Sequence, residues 1–126
     1  MALSLAKWDV LRVDPSGVGH TKFAVCLCPD RLWFFYINSE PPPGRKAAAL
    51  AIPIEAFQAR FLRKASYLDT AVVVDLPSAV VSAALVPDHH LGPLMPTLRT
   101  AVEAAVSNSP VLTDYQRGII LGSSAP

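Results

Sequence analysis

Short apolar runs cut by turn residues pattern the front of the chain, whereas its last third repeats apolar residues at spacings of three and four. The segment KWDVLRV (7–13) sets apolar residues in a β-favouring context and stops at Asp14-Pro15-Ser16-Gly17, a turn by composition. KFAVCLC (22–28) and LWFFYIN (32–38) are separated by Pro29-Asp30-Arg31, a spacing that predicts an antiparallel hairpin with residue 22 opposite residue 38. Both strands are apolar on both faces. Phe23, Val25 and Leu27 alternate with Ala24, Cys26 and Cys28, and Trp33, Phe35 and Ile37 alternate with Leu32, Phe34 and Tyr36. A half-exposed sheet would alternate with polar residues, so one face is expected to fill the interior of a barrel. The other is expected to be covered by C-terminal helices or by a second subunit.

After the loop SEPPPGRK (39–46), AALAIPI (48–54) reads as a strand whose Pro53 places it at a sheet edge. EAFQARFLRK (55–64) reads as a short helix or irregular crossover, and SYLDTAVVVDL (66–76) as a strand stopped by Pro77. The run AVVSAALV (79–86) fits a strand or a helix, because a short apolar run does not settle the period. Gly92-Pro93 predicts a helix start, followed by the stripe Leu94, Leu98, Val102, Ala105 and a stop at Ser109-Pro110. Thr113 with Gln116 three residues later is a capping-box signature for a second helix through about 121. The expectation is one domain over 1–126: a small antiparallel β-barrel over 7–86, mainly β, with two short α-helices appended over 92–121.

Composition narrows the function classes. The chain has 126 residues, enough for one core, and is 52% hydrophobic and 17% charged, more apolar than a typical domain of its size. With little net charge, that apolar fraction points to a homodimer as the commonest way to cover exposed surface. No apolar run reaches the ~18 residues of a membrane span, and the N-terminus lacks the pattern of a signal peptide, so a cytoplasmic protein with no membrane partner is expected. A net charge of +1 excludes a broad positive field, so any nucleic-acid contact must be local. Cys26 and Cys28 point to the same strand face with the wrong geometry for a disulfide and have no second ligand pair at zinc-like spacing. They read as reduced core residues, with no metal and no cofactor.

The stretch GHTKFAVCLC, its following aromatic strand, the proline loop and then FLRKASYLDT resemble the MazF/PemK-like toxins of bacterial toxin–antitoxin pairs, over roughly residues 7–76. The resemblance implies an SH3-like barrel, usually dimeric, that cuts single-stranded RNA without a metal and pairs with an antitoxin-like protein. It implies catalytic roles for Lys22 and Ser39, with His20 and Thr21 beside the first. In chemical terms, those roles would have His20 transfer protons, Lys22 stabilise phosphorane charge and Ser39 hydrogen-bond a phosphate oxygen. Thr21, Arg45 and Lys46 are the RNA-binding candidates, the last two gripping the backbone from the proline loop. The chain departs from active relatives in having Lys22-Phe23 where they present arginine and proline, and lysine lacks the bidentate fork that arginine offers a phosphate.

The same residues have plainer readings. Lys22 and His20 fit a solvated strand end, Ser39 and the proline run fit a strand terminator, and Trp8, Trp33, Phe34, Phe35 and Tyr36 fit a core. The rival function class is a non-catalytic protein-interaction module of the same fold.

Overall fold

The computed structural model describes residues 3–122, the side chain of Phe57 excepted; the ends of the expected domain, 1–2 and 123–126, lie outside the described residues. The chain opens with a three-strand meander, β1 (Asp9–Val13), β2 (Lys22–Cys28) and β3 (Trp33–Asn38). The predicted hairpin is present: Phe23 pairs with Ile37 and Val25 with Phe35, which sets Lys22 opposite Asn38. At its tip Leu32 takes a left-handed φ of 56° and the register shifts between Cys26 and Cys28, the combination of an αL residue and a bulge that closes short hairpin loops.

Helix α1 (Arg45–Leu50) and strand β4 (Ile52–Ile54) then occupy the segment read from sequence as a single strand over 48–54. The correction has a local cause. Three consecutive alanines have high helix propensity, and Gly44, at φ 92°, turns the chain into the helix from the proline loop. Pro53 does sit at a sheet edge, exposed on β4. A 3-10 turn at Ala56–Gln58 begins the irregular crossover.

The predicted strand 66–76 runs along β3 but is broken into β5 (Ser66–Leu68) and β6 (Val74–Asp75). Ile37 pairs with Leu68 and Phe34 with Val74, so residues between them bulge out of the ladder. Polar groups hold that bulge: the Ala71 N–H donates to Asp69 Oδ1 at 2.9 Å and the buried Thr70 hydroxyl donates to the Leu50 carbonyl at 2.7 Å.

The ambiguous run 79–86 falls mainly within helix α2 (Ser78–Ala84), entered directly after Pro77. Strand β7 (His90–Pro93) follows, correcting the helix start placed at Gly92-Pro93; helix α3 (Pro96–Ser107) begins one proline later, with Pro96 at its first position. Its buried stripe is Leu98, Val102 and Val106, with Leu94 buried just before it. The capping box of α4 (Asp114–Gly122) is formed: the Gln116 N–H donates to Thr113 Oγ1 and the Thr113 N–H to Gln116 Oε1, both at 3.0 Å.

The result is a seven-stranded antiparallel sheet in the order β4-β5-β3-β2-β1-β7, with β6 on the far part of β3. Its ends do not pair among the described residues, so the sheet is open where a barrel over 7–86 was expected, and α1 and α2 lie inside that span. No helix among the described residues is long and apolar enough to cross a membrane.

Two apolar clusters explain the doubly apolar hairpin. On one face Val25, Leu27, Phe35 and Ile37 pack with Val10, Ile54, Leu68 and the stripe of α3, joined by Ile120 of α4. On the other, Ala24, Cys26 and Phe34 pack with Leu11, Val13 and with Val81 and Ala84 of α2. The C-terminal helices thus cover one face, and α2 covers the other within the same chain. Burial of the hairpin therefore calls for no second subunit. Cys26 and Cys28 are free thiols in the buried interior.

Candidate functional site

The loop between β1 and β2 delivers the first candidate residues, and its own polar groups are already committed. Asp14 accepts hydrogen bonds from the N–H groups of Gly17 at 3.0 Å and Gly19 at 2.9 Å. Both glycines have positive φ, 72° and 87°, which the tight turn around the carboxylate requires. Backbone donors that cradle a carboxylate of their own chain are not a phosphate cradle. The loop is a device for starting β2, and it leaves His20, Thr21 and Lys22 exposed at the strand entrance.

At that entrance the ends of β2 and β3 meet the chain that leads into β5, and a cleft of about 490 Å³ opens between them. Phe23 and Phe61 form its aromatic wall, ring centroids 4.8 Å apart and planes inclined at 51°. Both are partly exposed. Arg12, the cross-strand partner of Phe23, carries its guanidinium carbon 5.5 Å from the centroid of that ring. With Lys22, Arg63 and Lys64 it makes four cationic residues around the cleft, and no carboxylate is among the described residues that line it. Thr21, Asn38, Ser39 and Ser66 supply hydroxyl and amide groups.

Lys22 has partners at the rim. Its ammonium donates to Asn38 Oδ1 at 3.4 Å and stands 4.8 Å from the centroid of Tyr36. Burial raises the Tyr36 phenol above its ordinary pKa, so it is a neutral ring beneath that cation.

Of the residues expected from sequence, Lys22, Thr21 and Ser39 share this cleft. His20 is exposed next to it and is not among its described lining residues. Arg45 and Lys46 are exposed at the start of α1, also outside the described lining. Arg12, Phe61, Arg63 and Lys64 were not among the expected site residues. Two signals pointed to them: the segment Phe61-Leu62-Arg63-Lys64, in which an apolar pair meets a basic pair, and the register that a β1–β2 pairing imposes on Arg12 and Phe23. Among the described residues no group of three or more His, Cys, Asp or Glu side chains is placed to hold a metal.

The arrangement can neutralise phosphates along its rim and offer an aromatic wall to a base, with short polar side chains available to ribose hydroxyls. No protein-family model matches the chain, and no curated protein is significantly similar to it.

Proposed function

We propose that the chain is a single-stranded RNA-binding protein of toxin-like type and that its working surface is the cleft at the open end of the β2–β3 hairpin. One observation carries the reading: Arg12, Lys22, Arg63 and Lys64 line the cleft around the Phe23–Phe61 wall, with no carboxylate among the described lining residues. Cations concentrated in one place are what a chain of net charge +1 needs to attract a polyanion locally. Partly exposed aromatic rings beside them favour unpaired bases over a duplex.

Metal-independent cleavage is the stronger form of this reading. It is supported by the presence of Lys22, Thr21 and Ser39 in one cleft. Cleavage also needs a proton acceptor, and the imidazole of His20 is outside the described lining. Binding is therefore assigned first.

The test is fluorescence anisotropy with labelled single-stranded RNA. Binding should weaken with salt, log K falling by about 0.7 per phosphate neutralised for each unit of log salt. Arg63→Glu combined with Lys64→Glu should weaken it by at least ~tenfold at constant circular dichroism. Incubation in a chelator reads out the nuclease form: cleavage that Lys22→Ala slows by about a hundredfold supports it, and intact RNA assigns binding alone. A folded protein that binds no single-stranded RNA overturns the proposal. That result favours the second reading, a protein-interaction module for an antitoxin-like partner or a second copy. Tyr115, 60% exposed beside Trp33 and Arg31 at the hairpin tip, is of the residue types that anchor such interfaces.

A further inference from the structure

The cleft shares its end of the sheet with a further recess on the other side of the hairpin's end. Strand alternation puts Phe23 and Ile37 on the face covered by α3 and α4, and Lys22, Tyr36 and Asn38 on the face covered by α2. Beyond the Lys22 side, Glu40 and the run Pro41-Pro42-Pro43 wall a second recess of about 390 Å³. Lys22, Asn38 and Ser39 line both recesses. These three residues therefore form a ridge across the end of the hairpin, with a hollow on either side. Each hollow is of the size, ~300–1,000 Å³, that typically encloses a small ligand.

The hollows differ in charge. The first is ringed by cations; the second has Lys22 on one side and Glu40, its sole carboxylate among the described lining residues, on the other. A phosphate is favoured on the ridge, where the Lys22 ammonium retains donors beyond the one given to Asn38 and where the Ser39 hydroxyl is at hand. A further phosphate beside Glu40 is disfavoured by like charge. A neutral nucleoside, with hydroxyl and amino donors to offer that carboxylate, is not.

We infer that the ridge holds the phosphodiester joining two adjacent nucleotides, with one base against Phe23 and Phe61 and the neighbouring nucleoside in the proline-walled recess. The inference rests on the RNA-binding reading above and narrows it: the unit recognised is an internal phosphodiester flanked by two nucleosides, not a terminal phosphate.

The test sets charge against shape. A dinucleoside monophosphate of adenosine carries less negative charge than adenosine monophosphate, so a simple anion site prefers the mononucleotide. The inferred site prefers the dinucleoside by about tenfold, the scale of one added base contact. Competition against labelled single-stranded RNA measures both ligands on the full chain. Lys22→Ala and Phe61→Ala should weaken both ligands, Lys22→Arg should keep most of the affinity, and Glu40→Lys, in the recess that takes the second nucleoside, should remove most of the dinucleoside's advantage. Equal competition, preference for the mononucleotide, or competition by neither ligand while longer RNA still binds overturns the inference and leaves the RNA-binding reading standing. Loss of all RNA binding in the unmodified protein overturns both.

Discussion

The two ends of the β2–β3 hairpin carry similar residue types in opposite electrostatic settings. At the tip, the Arg31 guanidinium carbon stands 5.6 Å from the ring of Trp33 and 5.4 Å from that of Tyr115, while Asp30 shares the adjoining recess. The two rings meet edge to face with centroids 6.3 Å apart. There Arg31 is placed between rings of its own chain, and a carboxylate lines the same recess. At the entrance, Arg12, Lys22, Arg63 and Lys64 outnumber the aromatic partners, and no carboxylate is among the described lining of the cleft they share, with Glu40 and Asp14 lining neighbouring recesses. A cation with an aromatic neighbour is common to both ends and by itself says little. An uncompensated group of cations beside partly exposed rings is what separates a surface that awaits an anion from one that ties two elements together.

That comparison presumes one rigid hairpin between the ends, and the strongest way to break it is to remove its centre. Phe35 is fully buried in the cluster that joins the sheet to α3 and α4. Phe35→Ala should destabilise the protein by about 3–5 kcal/mol in chemical denaturation, because the lost apolar contact is compounded by the cavity left behind. A loss under ~1 kcal/mol in the same experiment would show that the hairpin is not the common scaffold.

The middle of the hairpin also holds Cys26, whose thiol burial, with Asp9 nearby as a lesser cause, pushes up from 9.0 to about 12. The native state therefore keeps the proton, and the unfolded chain releases it above pH 9. Stability from this group is complete below 9 and falls as pH rises toward 12, with a slope of about 1.4 kcal/mol per pH unit. Cys26→Ala should lack that component when denaturation curves of the two proteins are compared at pH 8.5 and 10.5. A thiol reagent at pH 8 should label Cys26 only after unfolding. Equal slopes, or rapid native labelling at Cys26, would mean that the hairpin's centre is open to water and that its ends are not rigidly coupled.

Local chemistry made much of this architecture legible. The hairpin was set by a turn and two apolar strands, the edge position of β4 by Pro53, and the start of α4 by Thr113 and Gln116, each a feature contained within a few residues. Longer-range competition decided the rest. AAALAI offers alanines that suit a helix and apolar residues that suit a strand, and the chain uses it for both, switching at Ala51. Gly92-Pro93 resembles a helix start, yet pairing with β1 claims it, leaving Pro96 to open α3. The candidate site divides in the same way. Lys22 and Ser39 are brought together by hairpin connectivity alone, whereas Arg63 and Lys64, marked locally by an apolar pair meeting a basic pair, reach the cleft only because β5 returns to β3, a pairing across some thirty residues.

The smallest expected effect is also the sharpest for the comparison, because it lies at the tip. Tyr115 is 60% exposed and touches the hairpin through Trp33 and Arg31, so Tyr115→Ala removes an edge-to-face ring contact and one cation–ring contact. At an exposed site these interactions together stabilise by about 1 kcal/mol, which should appear as a small shift in the denaturation midpoint with an unchanged slope. RNA affinity should stay within about twofold of the unmodified protein, since no residue at the tip is among the described lining of the entrance cleft and exposed charges this far apart are largely screened at physiological salt. The Arg31→Ala variant should behave likewise. If either change weakened RNA binding as much as Arg63→Glu with Lys64→Glu, the tip would belong to the RNA path. The uncompensated cations would then not be what distinguishes the two ends, and the bound strand would have to run the length of the hairpin past α4.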